Sequence, residues 1–390
     1  MADGLRIVVL GALAEMPFAG VAWQVLHYLE GFRRLGHDVS FVEDTGKWPY
    51  DPYLQTVTDD AEGAVHRLGG LLQRFGFEGR WAFRNAAAGG LHGMSRRELA
   101  TTFRTADVLV NLSGVTVLDD AHLDVPIRIY LETDPVTPQI EIAQGRQFTI
   151  DMLAAHTHHF TFGERIGTPG CAVPVKRFRY LPTRQPVVLD WWAMQDEAAL
   201  GAGPLRCTTI ASWEQSFKDV QWDGETYTWS KSVEFAKLLS VPARVGATLE
   251  LALAIDDDAA VRRLRRAGFV VRSAQALSDD PDAYRAYIQG SGAEFTAAKD
   301  QHVRLRSGWF SDRTATYLAA GRPAIVQDTG FDVVLPTGEG LLAFRTPDEA
   351  VAALEDVAAA PTRHAAAARE VARAFDAEAV LARLLREARA

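Results

Sequence analysis

Residues 306–330, RSGWFSDRTATYLAAGRPAIVQDTG, constrain this chain more than any other stretch. They read as a glycine turn, a short helix, a Gly-Arg-Pro stop, a buried strand and a second glycine turn. Gly321 supplies a left-handed helix end, and Pro323 keeps the helix from running into the apolar residues 324–327. A helix that begins at a glycine-bearing loop presents free backbone N–H groups and the positive end of its dipole, which together hold a phosphate. Ser311 is placed to cap that helix, and Arg313, in its first turn, to pair with a diphosphate. Asp312 between them opposes an anionic ligand unless its carboxylate turns away. An ordinary αβ unit needs the same cap, stop and strand, so the grammar alone leaves a purely structural role open.

The same alternation runs through the rest of the chain. Residues 5–10 are a continuous apolar run ending at Gly11, as in a parallel strand buried on both faces. Val21, Val25, Leu26, Leu29 and Phe32 follow at helical spacing, and residues 38–43 read as the next strand. Gly11 leads into Ala-Leu-Ala-Glu-Met-Pro, without the GxGxxG of a dinucleotide site. Further strands are expected at 108–112, 127–132 and 158–161, and in the second half at 207–211, 248–255, 269–271, 294–296, 324–327 and 341–344. Pro182, Pro186, Gly201, Gly203 and Pro204 mark a connection between two units. The reading is an α/β chain with a first domain at 1–185, a linker at 186–204, a second domain at 205–365 and terminal helices at 366–390.

Composition narrows the function classes. At 390 residues the chain exceeds one ordinary core, and 48% hydrophobic residues place it among globular proteins. A net charge of −9 argues against gripping a nucleic-acid backbone. Cys171 and Cys207 are too few for a disulfide framework and lie in no CxxC pattern. No apolar run reaches the length of a membrane span and no secretory leader is evident, so a cytoplasmic protein is expected.

A Gly-rich loop, a short helix and an Ala-Ala-Gly-x-Pro stop are carried here by Ser307, Gly308, Ser311, Arg313, Ala319, Ala320, Gly321 and Pro323. This pattern resembles the nucleotide-sugar segment of bacterial GT-B glycosyltransferases of the family 1 and family 4 kind. The likeness in layout covers nearly the whole chain, and the motif-level likeness residues 291–340. It implies two Rossmann-like parallel-sheet domains facing a cleft, with the C-terminal helix crossing back onto the first. It also implies a nucleoside diphosphate sugar held by the second domain, a small-molecule acceptor held by the first, and no metal cofactor. The Glu-x7-Glu pair of many retaining members is missing, Gly308 and Thr316 standing at those positions, which favours inversion.

Candidate site residues follow from chemistry at the strand exits. Glu132 and Asp134, stiffened by Pro135, put two carboxylates at the mouth of a cleft, where one could take the proton of an attacking hydroxyl. Asp134 is the preferred base, although it could equally cap the helix that follows. Among Lys218, Lys231, Lys299, Arg304 and Arg313, the choices for a departing diphosphate are Lys218 and Arg313, with Ser307, Gly308 and Ser311 around them. The resemblance adds Glu339 as a partner for ribose or sugar hydroxyls. Trp191, Trp192, Trp213, Trp222 and Trp229 fall close together and suit either a stacking surface or a domain interface. His27 reads as a structural helix residue, and Glu15 as a loop carboxylate. His156, His158 and His159 lack metal-ligand spacing, and residues 256–258 read as helix caps, so no metal site is assigned. Two other classes fit the same fold: an epimerase acting on a nucleotide sugar, and a binding protein without turnover. A homodimer is neither required nor excluded.

Overall fold

The computed structural model describes residues 4–85, 89–194 and 203–390. Its first sheet is built from β1 (Arg6–Leu10), β2 (Asp38–Glu43), β3 (Trp81–Asn85), β4 (Gly90–Gly93), β5 (Val108–Leu112), β6 (Ile127–Glu132), β7 (His158–Thr161) and β8 (Tyr180–Pro182), in the order β8-β7-β6-β5-β1-β2-β3-β4. All neighbours are parallel except β3 and β4, which form an antiparallel edge. That edge lies outside the strands expected from the sequence. Gly93 permits it, because a Cβ there would press on the Trp81 ring at 2.8 Å.

The second sheet contains β9 (Arg206–Ser212), β10 (Thr248–Ala254), β11 (Val270–Ser273), β12 (Ala293–Thr296), β13 (Ala324–Gln327) and β14 (Leu341–Phe344), all parallel, in the order β11-β10-β9-β12-β13-β14. The interior of β9, β10, β12 and β13 is buried on both faces, so these strands are mostly apolar or small residues, with Glu250 and Glu294 as buried exceptions. Each sheet therefore reverses direction beside its first strand, between β1 and β5 and between β9 and β12. Ligands of open α/β sheets bind beyond the carboxyl ends of the strands at such a switch point.

The helix α1 (Ala19–Arg34) leaves the first switch point, and the chain ends in α2 (Pro361–Ala372) and α3 (Ala377–Ala388). Helix α3 packs on the first domain: Leu381, Leu384 and Leu385 join the core that holds Tyr28, Leu29 and Phe32. Gly31 makes the close crossing possible, since a Cβ there would lie 2.5 Å from Leu381 Cδ1. The return path is stitched to the linker, where the Val187 N–H donates to Phe375 O at 2.7 Å and the Ala377 N–H to Val187 O at 3.0 Å. Trp191 and Trp192 of the linker pack with Trp23 and His27 of α1. These tryptophans are interface, and burial pushes the His27 imidazole down to about 3, keeping it neutral. Residues 195–202 of the expected linker lie outside the described residues. Among the described residues, no helix is long and apolar enough to cross a membrane.

Leu381→Ala should cost about 3 kcal/mol, the middle of the range for emptying a buried leucine site. Chemical denaturation followed by tryptophan fluorescence would show an earlier transition. An unchanged midpoint would mean that the terminal helix does not hold the first domain in solution.

Candidate functional site

Asp134 follows β6 on a loop of the first domain, and its partners belong to the second. The Lys299 Nζ donates to Oδ2, and His302 Nε2 lies 3.0 Å from Oδ1. Lys299 is the residue before α4 (Asp300–Leu305), and His302 sits in that helix's first turn. The His302 ring lies flat on Trp309, with centroids 4.6 Å apart and planes 7° from parallel. Its Nδ1 is 3.0 Å from Ser307 Oγ. Trp309 Nε1 donates to Thr133 O at 2.8 Å, so the same indole also binds the loop that carries Asp134. Lys299 Nζ is 3.2 Å from the centroid of Trp229, with Lys218 Nζ on that ring at 3.9 Å. Although burial alone would raise it, the Asp134 carboxyl is held far below the ordinary range by Lys299 and His302. Burial lowers Lys299 to about 8 despite Asp134.

The backbone beside Asp134 is strained. Val136 has φ 95°, rare for a β-branched residue, and is held there by its N–H donating to Gln139 Oε1 at 2.6 Å. It takes the cap position of the following helix, Thr137–Ala143, with which Asp134 makes no cap; the alternative role of Asp134 as a helix cap is thereby removed. With one oxygen on the Lys299 ammonium and the other on the His302 imidazole, this carboxylate has the geometry of a structural anchor more than of a proton acceptor. Glu132 lies behind it, fully buried, accepting from Gln139 Nε2 at 2.7 Å and Thr161 Oγ1 at 2.9 Å. Burial pushes Glu132 up to about 7.

A cavity of about 190 Å³ opens at the carboxyl end of β9 and is lined by Trp213, Trp229, Lys231, Lys299, Trp309 and Arg313, among others. Arg313 belongs to α5 (Asp312–Ala319). Its Nε donates to Glu294 Oε1 at 2.6 Å, Nη1 to Ile210 O at 2.6 Å and Nη2 to Thr296 Oγ1 at 3.2 Å. Those bonds use three of the guanidinium's five N–H groups, which leaves two for a ligand. Lys231 is different. Only 7% exposed, its Nζ donates to Thr296 Oγ1 at 3.3 Å, and among the described residues no carboxylate lies within ion-pair range. Burial and the nearby Arg313 lower its proton affinity strongly.

The other expected residues divide. Ser311 takes the N-cap backbone conformation of α5, but its side chain makes no cap bond, so the expected cap is absent. Asp312 turns away from the cavity and accepts from Gln24 Nε2 of α1 at 2.8 Å, which removes the objection its charge raises to an anion. Gly308, at φ +73°, lies against Arg165 of the first domain, where a Cβ would be 2.7 Å from its Cγ. Ser307 and Gly308 thus close the seam between domains and do not line the cavity. Glu339 precedes β14, at the amino end of the second sheet, 3.7 Å from Arg363, and is not gathered with the others. The sequence favours Lys218 over Lys231 and Lys299, and it does not mark His302 directly. Lys299 was legible as the cation at the exit of β12, and His302 as the position one helical step beyond it. Trp213 stacks on Phe235 in the core, and Trp229 is the cluster member that meets the cations. Asp257 caps its helix through the Ala259 and Ala260 N–H groups, as expected. Among the described residues no group of three His, Cys, Asp or Glu could hold a metal.

No protein-family model matches the sequence, and no curated protein is detectably similar to it. Solved structures are. AviGT4, a glycosyltransferase involved in avilamycin A biosynthesis, superposes with a TM-score of 0.52 at 13% identity over 99% of this chain and 97% of its own. Anabaena HepE in complex with UDP-glucose superposes at 0.58 and 9% identity, over 98% and 99% of the two chains. The fold is GT-B. An α-glucosyltransferase in complex with UDP and a mismatched DNA 13-mer shares it at 0.53 and 8% identity, each chain covered in full. The expected GT-B architecture, with two Rossmann-like sheets and a returning C-terminal helix, is therefore the observed one.

Two buried carboxyls give the GT-B chain a signed pH dependence. Glu132 and Glu43 both rise from about 4.5 to about 7, chiefly by burial. Between those values the folded chain keeps protons that the unfolded chain has released, so their contribution is present below pH 4.5 and is lost as pH rises to 7. Each shift corresponds to about 3 kcal/mol. The stability difference between wild type and Glu132→Gln should change by about that amount between pH 4.5 and 8 in urea denaturation. A difference independent of pH would mean that Glu132 is ionised in the fold throughout.

Proposed function

We propose that this protein is a glycosyltransferase that moves a sugar from a nucleoside diphosphate donor to a small-molecule acceptor. The observation that carries the reading is Lys231, a buried amine with no carboxylate in ion-pair range among the described residues, on a cavity that Lys299 and Arg313 also line; burial and Arg313 hold its proton affinity down, and a bound diphosphate would raise it again. A buried charge is costly unless an opposite charge meets it, and a diphosphate supplies that charge. The cavity lies at the switch point of the second sheet, in a fold shared with proteins solved in complex with UDP or UDP-glucose. As the glycosidic bond breaks, the departing diphosphate gains charge, and the three side chains are already in place to meet it without a divalent cation. The absence of the Glu-x7-Glu pair favours a single displacement with inversion.

The acceptor side is a groove of about 800 Å³ that shares Ile210, Ala211, Ser212, Glu214 and Gln215 with the donor cavity. Phe18, Tyr50, Pro52 and Gln55 of the first domain form its opposite wall. Its mixed aromatic and polar lining suits a small molecule that offers a hydroxyl.

A calorimetric panel of UDP, GDP, ADP, CDP and dTDP, with and without Mg²⁺, tests the donor site. One nucleotide should bind, independently of Mg²⁺, and Lys231→Ala should weaken it by about 10- to 100-fold, the loss of one charge-assisted contact worth about 1.5–3 kcal/mol. Failure of all five to bind, or full affinity in both Lys231→Ala and Arg313→Ala, would remove the reading.

A further inference from the structure

The donor cavity and the acceptor groove have a common wall, the segment Ile210, Ala211, Ser212, Glu214 and Gln215 at the carboxyl end of β9. A sugar whose diphosphate rests on Lys231, Lys299 and Arg313 has its reacting carbon where the cavity opens into the groove, and an acceptor hydroxyl in the groove can reach that carbon only there. Glu214 is the carboxylate of this shared wall. Asp256 and Asp279 line the groove but not the cavity. Asp134 lines neither, its two oxygens lying on Lys299 and His302, and Glu132 is sealed inside the first domain.

The backbone on both sides of Glu214 is pinned. The Trp213 N–H donates to Ala254 O at 3.1 Å, and the Gln215 N–H to Ser230 Oγ at 2.9 Å. Trp213 O accepts from the Lys231 N–H at 3.2 Å, so the strand exit that carries Glu214 is bonded to the stretch that carries Lys231. The Trp213 ring turns into the core against Phe235, whereas the Glu214 side chain stays exposed. Among the described residues no cation lies within ion-pair range of it, in contrast to Glu294 and Asp134, which are committed to Arg313 and Lys299. A carboxylate with its lone pairs free is able to take a proton, and one already bonded at both oxygens is not.

On the glycosyltransferase reading above, we propose that Glu214 is the general base of the transfer. The acceptor hydroxyl gives its proton to the Glu214 carboxylate while the hydroxyl oxygen forms a bond to the anomeric carbon. The bond from that carbon to the phosphate oxygen breaks, and its electron pair leaves with the diphosphate onto Lys231, Lys299 and Arg313. The proton then passes from Glu214 to solvent, to which the side chain is open. Because Glu214 and Lys231 sit on directly bonded backbone, the group that takes the proton and the group that meets the leaving charge keep their spacing if the first domain moves.

The test uses the glucose ester of whichever nucleotide binds in the calorimetric panel, at one fixed pH, with water or azide as acceptor. Water must lose a proton as it attacks, whereas azide is already an anion and needs no base. Glu214→Gln, of the same size and at an exposed position, should lower hydrolysis by about 100-fold or more while nucleotide affinity is kept. Supplying azide should restore turnover, giving glucosyl azide at a rate near that of wild type in the same azide. If Glu214→Gln does not fold, Glu214→Ala is read in the same way. Loss of both reactions to the same extent would overturn the proposal, as the mark of a residue that only holds the sugar. So would hydrolysis left unchanged by the substitution, or a loss accounted for by weaker nucleotide binding. Absence of hydrolysis by wild type with donor bound would overturn it too. Absence of nucleotide binding by wild type would instead remove the donor reading on which the proposal rests.

Discussion

Asp134 is a first-domain carboxylate whose counter-ions belong to the second domain, and the arrangement of the cleft depends on that contact. Bringing a carboxylate, an ammonium and an imidazole together out of water costs more than an isolated pair returns, unless every group is bonded. Here each one is. Lys299 and His302 take the two oxygens, Ser307 takes the far side of the imidazole, and Trp309 covers the ring while bonding the loop that carries Asp134. The contact sets the distance between the loop leaving β6 and the helix that starts at Lys299. That spacing brings Lys299 and Arg313 to one cavity with Lys231, while Asp312 bonds Gln24 of α1. Gly308 and Gly330 extend the same seam, since both leave room for the Arg165 side chain.

Much of the fold was legible because its determinants are local. Apolar runs ending in glycine located the parallel strands, and the Ala-Ala-Gly-Arg-Pro stop located the end of α5 and the start of β13. The β3–β4 edge was not legible, because an edge pair with one wet face and a glycine at each end of β4 has no apolar run to mark it. The candidate site was legible only in part, for a different reason. Arg313 reads as a free cation in sequence, but Glu294, 19 residues away, claims its Nε. Asp134 reads as an open carboxylate, but its partners lie 165 and 168 residues away. Lys231 reads as a surface charge because nothing nearby in sequence reveals that it is buried. Pairing across such separations is decided by topology, and spacing along the chain carries no record of it.

The two switch points differ in how their polar groups are already used. In the first domain the loop leaving β1 turns the N–H groups of Leu13, Ala14 and Glu15 inward, as a phosphate-binding loop would. All three donate to the Glu43 carboxylate, at 2.7, 2.7 and 2.8 Å. The chain has thus filled its own anion site, and the carboxyl that fills it is fully buried. A phosphate arriving there would have to displace a side chain bonded three times over, and the Lys47 ammonium beside the loop is already paired with Glu15. At the second switch point the balance is reversed. The loops leaving β9 and β12 contribute Lys231 and Lys299, α5 contributes Arg313, and the carboxylates within reach, Glu294 and Asp134, are already committed to Arg313 and Lys299. Lys231 is left over. One site therefore has donors already met by an internal carboxyl, and the other has a buried amine that no carboxylate meets among the described residues. The same physical rule, that a buried polar group must be met, is satisfied internally in the first domain and, on the proposed reading, by the donor's phosphates in the second.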